Sequence, residues 1–197
     1  MDTLILADQM FDGVDGNTRN KQGMRISGGR ITQVGHQEEL KKDVAPNTEI
    51  IDLGNICLAP GLIDSHTHVT LSGDSKTYAE MFTETDEMMA LISVKNLQIH
   101  LRAGITSVRE HGARNKLGFV VKEGAERGLF PSPRMLVSGR PITCTGGHFH
   151  MCNEVADGPD EVRRSVRRLV HEGADYIKIM ASGGGTEGTI PGRASYS

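Results

Sequence analysis

The feature that most constrains the fold is the alternation of strand-like and helix-like segments that begins at Leu62. Short apolar runs predict strands near 62–66, 105–108, 135–137 and 176–180. Between them, amphipathic segments predict helices over 86–103 and 116–127, and a third from Asp157 to the residue before Gly173. Repeated strand–helix units favour parallel strands joined by right-handed crossovers. The sequence after Leu62 therefore predicts an α/β fold.

The residues before Leu62 have a different pattern of apolar segments. Short strand-like runs occur at 4–6, 24–26, 31–34, 50–51 and 56–58, and Gly28-Gly29 separates two of them as a hairpin turn. No helix is predicted in this part, and so few strands bury little surface by themselves. We expect a small β unit over 1–58 that needs other chain to pack on, followed by the α/β part over 59–197.

Composition and charge limit the classes of binding partner that we expect. The formal net charge is −3, with acidic and basic residues interspersed, so no electrostatic footprint for nucleic acid or an anionic membrane is visible. Small molecules are the expected partners. Cys57, Cys144 and Cys152 are odd in number and lack Cys-x-x-Cys spacing, which favours a reducing compartment. With no signal-like N-terminus and no membrane-length apolar run, we expect a soluble cytoplasmic protein.

Two histidines end the first strand of the α/β part. Pro60-Gly61 forms a turn before the strand, and His66 and His68 follow at a spacing of two. Alternate side chains of a strand share a face, so the two imidazoles point the same way and can bind one metal ion. The alternative is a pair of partly buried polar residues at a strand end.

Lys178 lies in the middle of an apolar segment between Ile177 and Ile179. Burial of a lysine lowers its pKa and favours the neutral amine, a nucleophile that can add carbon dioxide to form a carbamate. A carbamate is an oxygen donor able to bridge two cations. The alternative is a lysine that extends to solvent or pairs with an acid.

These residues and the motifs around them resemble the metal-dependent amidohydrolase superfamily. The resemblance is closest to the imidazolonepropionase-like branch, which includes Xaa-Pro dipeptidases with a carboxylated lysine. The motifs that carry it are 59–68, 104–109, 145–148 and 174–184, in that order along the chain. The branch usually has aspartate where this sequence has Glu110, and no role is assigned to Glu110, Arg109, His111 or His150.

The resemblance implies the N-terminal half of a TIM (β/α)8 barrel, preceded by a small β-sandwich portion over 1–58. It implies a centre of two divalent cations, commonly zinc, with His66 and His68 on one ion and carboxylated Lys178 bridging to the other. A metal-bound hydroxide would hydrolyse a C–N amide or peptide bond, of the Xaa-Pro dipeptide or cyclic amide type. His148 would contact the substrate; the alternative is a loop histidine without that role.

A complete barrel of this type has eight strand–helix units, and four are predicted here. The resemblance places two more metal-binding histidines and the catalytic aspartate on later strands, so no catalytic residue is assigned within residues 1–197. His100 and His171 fall on predicted helices and cannot replace those ligands. We therefore expect a partner that supplies the C-terminal half of the barrel.

Two functions are compatible with the sequence. The chain is either part of a hydrolase completed by that C-terminal half, or a non-catalytic fragment or assembly subunit that retains half a metal site. An unpaired fourth strand and an open sheet face would expose apolar surface. For this reason we also expect the chain alone to be inactive and to self-associate as a homo-oligomer or to pair with the missing half.

Overall fold

The computed structural model describes residues 2–77, 80 and 82–196. It divides into two compact units, Met1–Pro60 and Gly61–Ser197, which are described separately below. Each unit has its own sheet and its own cluster of buried apolar side chains.

The first unit is a five-stranded sheet. Its elements are β1 (Thr3–Phe11), β2 (Thr18–Ser27), β3 (Arg30–His36), α1 (Gln37–Leu40), β4 (Glu49–Asp52) and β5 (Cys57–Leu58). The strand order is β3-β2-β1-β4, and β5 also pairs with β1. Strand β1 is antiparallel to β2 and parallel to β4 and β5. The predicted hairpin at Gly28-Gly29 is confirmed, since Ser27 and Arg30 pair across it.

The prediction that this unit has no helix was wrong. One turn of helix, α1, follows β3, and the side chain of His36 accepts a hydrogen bond from the backbone N–H of Glu38 at its start. Leu40 is fully buried there against Leu4 and Leu6 of β1. A helix of four residues is too short to show a hydrophobic period in the sequence, so only the packing of Leu40 reveals why it forms.

The second unit contains the alternating part of the chain. Its elements are β6 (Leu62–Thr67), α2 (Asp86–Arg102), β7 (Ile105–Glu110), α3 (Leu117–Glu126), β8 (Arg134–Val137), β9 (Ile142–Thr143), β10 (Glu154–Val155) and α4 (Gly158–His171). Strands β6, β7 and β8 form a sheet in that order, and both pairs are parallel. The predicted parallel strand–helix alternation is therefore confirmed for the first three strands. The short strands β9 and β10 form a separate parallel pair.

The core of this unit lies between the sheet and its helices. Its members share burial of nearly the whole side chain, and they are Val69, Leu97, Val108, Val121, Met135 and Val137. Helix α2 begins at Thr85, whose hydroxyl accepts a hydrogen bond from the N–H of Met88. Leu97 then fixes that helix against the sheet. Within the described residues, no helix is long and apolar enough to cross a membrane.

The predicted fourth strand, 176–180, was wrong in its extent. Only Ile179 forms a β-bridge, parallel to Ile142 of β9. The N–H of Ile142 donates to the carbonyl of Lys178, and the N–H of Met180 donates to the carbonyl of Ile142, both at 2.8 Å. The apolar run has the composition of a strand, but its partner β9 is only two residues long, so the ladder ends after one pair.

Helix α4 also differs from expectation in the face it buries. Val170 was predicted in the buried face with Val162, Val166 and Leu169, but its side chain is 58% exposed. Leu169 is fully buried, and Ser165 takes a buried position. Val170 lies about 100° around the helix from Leu169, which carries it off the face that contacts Ile142.

Candidate functional site

The structure brings His66 and His68 together at the end of β6. His66 is the next-to-last residue of the strand and His68 follows it. Their ring centroids are 5.6 Å apart. Strand β7 fixes this end of β6, because the N–H of His111 donates to the carbonyl of Thr67 at 2.8 Å. The position of both rings is therefore set by the backbone of two paired strands.

The ring of His68 is oriented by a backbone carbonyl. Its Nδ1 lies 3.0 Å from the carbonyl oxygen of Gly112, so Nδ1 must carry the proton and donate it. The lone pair on Nε2 is then left for another partner. Gly112 has a φ of +141°, and a Cβ there would lie 2.3 Å from Cγ of Pro141. Only glycine can present its carbonyl to His68 in this way.

Glu110 is a second polar group near His68 that sequence reasoning left without a role. Its side chain is fully buried, and Oε1 lies 4.0 Å from Nδ1 of His68. Burial raises its pKa to about 8, although the N–H of Gly112 donates to Oε1 and opposes the shift. Among the described residues, Oε2 has no hydrogen-bond partner. The available signal was a carboxylate at the end of a predicted strand.

His111 and Tyr176 complete the surroundings of His66. The ring centroids of His66 and His111 are 4.1 Å apart, and burial lowers the pKa of His111 to about 4. The Tyr176 hydroxyl donates to the carbonyl of Glu110 at 2.7 Å, so it accepts from Nδ1 of His111. The guanidinium of Arg109 lies 4.3 Å from the centroid of the Tyr176 ring. These contacts hold His111 as a neutral imidazole beside His66.

Lys178 interacts electrostatically with the histidines of this region. Burial lowers its pKa, and the positive charge of Arg109 lowers it further. The pKa values of His66, His68 and His148 are lowered mainly by burial, and the charge of Lys178 contributes to each. The structure thus places the three residues predicted to bind metal within electrostatic reach of one another.

His148 lies in a loop held by a threonine from the last part of the chain. Its Nδ1 lies 2.7 Å from the Thr186 hydroxyl, and that hydroxyl also accepts from the N–H of Phe149 at 3.0 Å. A Cβ on Gly184 would lie 2.7 Å from the His148 ring, so the backbone approaches the ring as only glycine allows. Thr186, a residue that sequence reasoning missed, therefore fixes the ring of His148.

His66, His68 and Lys178 have the chemistry to bind a divalent cation, but they are only part of a complete set of metal ligands. Desolvation lowers the pKa values of His66 and His68, which favours the neutral form that binds metal. Lys178 as an ammonium would repel a cation, whereas its carbamate would offer oxygen ligands. Across residues 2–77, 80 and 82–196, no group of three or more His, Cys, Asp or Glu side chains is arranged to hold a metal ion. His100 and His171, which the sequence analysis excluded as ligands, lie on α2 and α4 as predicted.

Comparison with known proteins gives consistent relatives. Ochratoxinase from Aspergillus niger is 28% identical over 211 residues, an alignment that covers 92% of this chain and 42% of the enzyme. An imidazolonepropionase from Fusobacterium nucleatum is 36% identical over 75 residues, which covers 38% of this chain and 16% of that protein. The crystal structure of a prolidase complexed with N-methylphosphonate-L-proline matches with a TM-score of 0.87 at 28% identity.

The prolidase match covers 100% of this chain and 51% of that structure, and the ochratoxinase alignment covers 42% of the enzyme, so the chain spans about half the length of these two relatives. The mixed α/β architecture is thus shared with solved amidohydrolases over about half of their chains. The model of the amidohydrolase family matches residues 57–197, which contain every side chain of the site described above. The resemblance predicted from the motifs is confirmed, and the chain belongs to the amidohydrolase family.

Proposed function

We propose that this chain is the N-terminal half of a metal-dependent amidohydrolase that hydrolyses C–N amide or peptide bonds. The observation that carries the proposal is the position of His66 and His68 at the end of a parallel strand, with ring centroids 5.6 Å apart, together with the effect of the Lys178 charge on the pKa of both. In parallel α/β folds, active sites form at the carboxyl ends of the strands. Family membership supports the same chemistry.

In this proposal His66 and His68 bind one divalent cation, zinc in the first instance, through their free ring nitrogens. The neutral Nζ of Lys178 would add carbon dioxide, with release of one proton, and the resulting carbamate would offer oxygen ligands to a second cation. The lowered pKa of Lys178 supports the step, because only the neutral amine has a lone pair for the new N–C bond. When bound, such cations supply an acidified water and polarise a scissile carbonyl.

The other residues of the region orient the ligands and the substrate. The Gly112 carbonyl keeps the proton of His68 on Nδ1, so that the lone pair of Nε2 would be available to a metal ion. His148 contacts the carbonyl or carboxylate of the substrate, and Thr186 holds its ring for that contact. We assign dipeptides with a C-terminal proline or cyclic amides as the substrate class. Prolidase and imidazolonepropionase among the relatives support this choice.

The proposal requires polypeptide beyond the part described here. We infer that β6, β7 and β8 with the segment around Ile179 begin a TIM (β/α)8 barrel, and that residues 1–58 are part of a β-sandwich. The matched structures contain about as much chain again. Apolar side chains support a covering partner: Leu62, Ile63 and Ile179 are 61%, 70% and 44% exposed. The C-terminal half of the barrel would cover them and add the remaining metal ligands and the aspartate.

Metal analysis with an activity screen tests the proposal. The purified chain is measured alone and together with the C-terminal half, a combination called the complemented protein below. We expect zinc binding and hydrolysis of Xaa-Pro dipeptides or cyclic amides only in the complemented protein. We expect the chain alone to be inactive and to self-associate in sedimentation. A compact monomer of the chain alone with metal-dependent turnover would contradict the division of the site between two halves.

The second candidate is a non-catalytic subunit that retains half a metal site. The partial donor set of His66, His68 and Lys178 is the observation that favours it. This function predicts stable association of the chain with its partner half, without turnover of any amide. It also predicts that His66→Ala leaves that association unchanged.

A further inference from the structure

Two polar side chains of helix α2 contact the chain on both sides of His66-Thr67-His68. They are Asn96 and His100, which lie one turn apart on the same face of the helix. Neither belongs to the donor set described above. Their partners, however, lie close to the two histidines in sequence: Asp64 is two residues before His66, and Val69 and Leu71 are one and three residues after His68.

His100 acts on the segment before His66. Its Nε2 lies 3.3 Å from Oδ2 of Asp64, while its Nδ1 lies 2.9 Å from the carbonyl of Asn96. The other oxygen of Asp64, Oδ1, accepts a hydrogen bond from the N–H of His66 at 3.0 Å. The side chain of His100 is only 19% exposed, so the contact with Asp64 is shielded from solvent. A continuous chain of hydrogen bonds thus runs from α2 to the backbone of His66.

Asn96 acts on the segment after His68. Its Nδ2 donates to the carbonyls of Val69 and Leu71, both at 2.9 Å. The N–H of Leu71 donates back to the carbonyl of His68, which closes a turn at that point. Both protons of the Asn96 amide are therefore used to hold the turn that carries His68.

The helix that carries these side chains is itself fixed. Leu97 lies between them in sequence and is fully buried in the core with Val69 and Val108. A buried leucine of this kind restrains the helix against translation, because the core around it is close-packed. Asn96 and His100 therefore connect the chain around His66 and His68 to one rigid helix, α2.

We propose that Asn96 and His100 are positioning residues that set the geometry of His66 and His68 for metal binding. This inference rests on the proposed function, since it assumes that the two histidines bind metal. Outer partners of metal ligands affect affinity by roughly 10- to 100-fold when they are removed. The expected effect of either side chain is therefore on metal affinity, with the fold retained.

The test measures the zinc dissociation constant of the complemented protein by competition with a chelator. Asn96→Leu and His100→Leu remove the polar contacts at similar volume, and His100→Gln keeps a donor toward Asp64. Lys95→Ala, at an exposed position of the same helix, is the matched control. We expect about 10- to 100-fold weaker zinc binding for the two leucine variants, with binding close to wild type for His100→Gln and Lys95→Ala.

A second measurement separates positioning from general destabilisation. The midpoint of thermal unfolding is recorded for each metal-free variant, and zinc affinity is compared only among variants whose midpoints match. If Asn96→Leu fails to fold, the His100 pair of variants decides the question by itself. Equal zinc affinity in His100→Leu and wild type, with His66→Ala still abolishing binding, would overturn the positioning role alone. Zinc binding that His66→Ala leaves unchanged would instead overturn the proposed function.

Discussion

The two halves of the candidate site are held in different ways. His66 and His68 lie at the end of a six-residue strand that pairs along β7, and two side chains of α2 hold the chain on either side. Lys178 and His148 lie outside regular strands and helices. The first half is positioned by a backbone ladder, and the second depends on single contacts such as the bridge at Ile179.

The difference between the two halves predicts which substitutions should change the chemistry and which should move a side chain. Around His66 and His68, strand pairing at Asp64 and Thr67 and the side-chain contacts from α2 share the task of positioning, so loss of a ligand should affect the chemistry more than the fold. Around His148, one hydroxyl holds both the ring and the next backbone N–H. A single change at Thr186 should therefore move the ring without unfolding the unit.

The largest effect is expected for His66→Ala or His68→Ala in the complemented protein. Each removes an imidazole ligand, so bound zinc and activity should fall together, by more than the roughly 10- to 100-fold typical of outer partners. Elemental analysis and a peptide hydrolysis assay measure the two quantities. His171→Ala, at an exposed position of α4, is the control and should change neither. Unchanged metal content in both ligand variants would remove the assignment.

Lys178→Ala should also abolish most activity, because the bridging carbamate is lost. The chain around residue 178 is irregular, and Lys178 is partly exposed there. A small carboxylic acid such as acetate should therefore enter the space left by the lysine and restore part of the activity. Steady-state rates with and without acetate measure the rescue, with Lys95→Ala as the control. Full activity of Lys178→Ala without acid would argue against a bridging role.

Leu97→Ala tests whether the regular half depends on the core beneath it. Removal of a fully buried leucine should lower the free energy of unfolding by about 2–5 kcal/mol. Urea denaturation measures this change. Leu91, on the same helix, is 65% exposed, and Leu91→Ala should cost no more than about 0.5 kcal/mol. Equal losses in the two variants would mean that α2 is not anchored through Leu97.

Thr186→Val should have the smallest effect of the four. The variant keeps the shape of the side chain and removes the hydroxyl that contacts His148, a loss of about 0.5–1.5 kcal/mol. We expect KM to rise by up to roughly tenfold while kcat changes little, because His148 is proposed to contact the substrate. Thr186→Ser keeps the hydroxyl and should restore KM. A fall in kcat at constant KM would place His148 in the chemical step.

Much of the regular half was predictable from sequence. Period-two spacing predicted that His66 and His68 lie together, and their ring centroids are 5.6 Å apart; the alternation after Leu62 predicted three parallel strands correctly. These features follow from local patterns of polar and apolar residues. The contacts of Asn96 and His100 with the chain around His66 and His68 were not predictable, because they depend on which face of α2 packs against the chain near β6.

The irregular half shows the limits of the same patterns. The apolar run at 176–180 predicted a strand, but strand length also depends on the partner, and β9 offers only two residues. Thr186 lies 38 residues from His148, and no local period links the two. Glu110 was visible as an acid at the end of a predicted strand, although its contact with Gly112 required the structure. Long-range side-chain contacts account for each of these misses.

The central claim is that His66, His68 and Lys178 bind metal together, and a crystal structure of the complemented protein tests it most directly. Data collected at the zinc absorption edge locate the ions independently of the model. We predict an anomalous peak about 2.0–2.1 Å from a ring nitrogen of His66 and of His68, with carbamate density on Nζ of Lys178. Full zinc occupancy beside a plain lysine, or ions bound away from both histidines, would contradict the account.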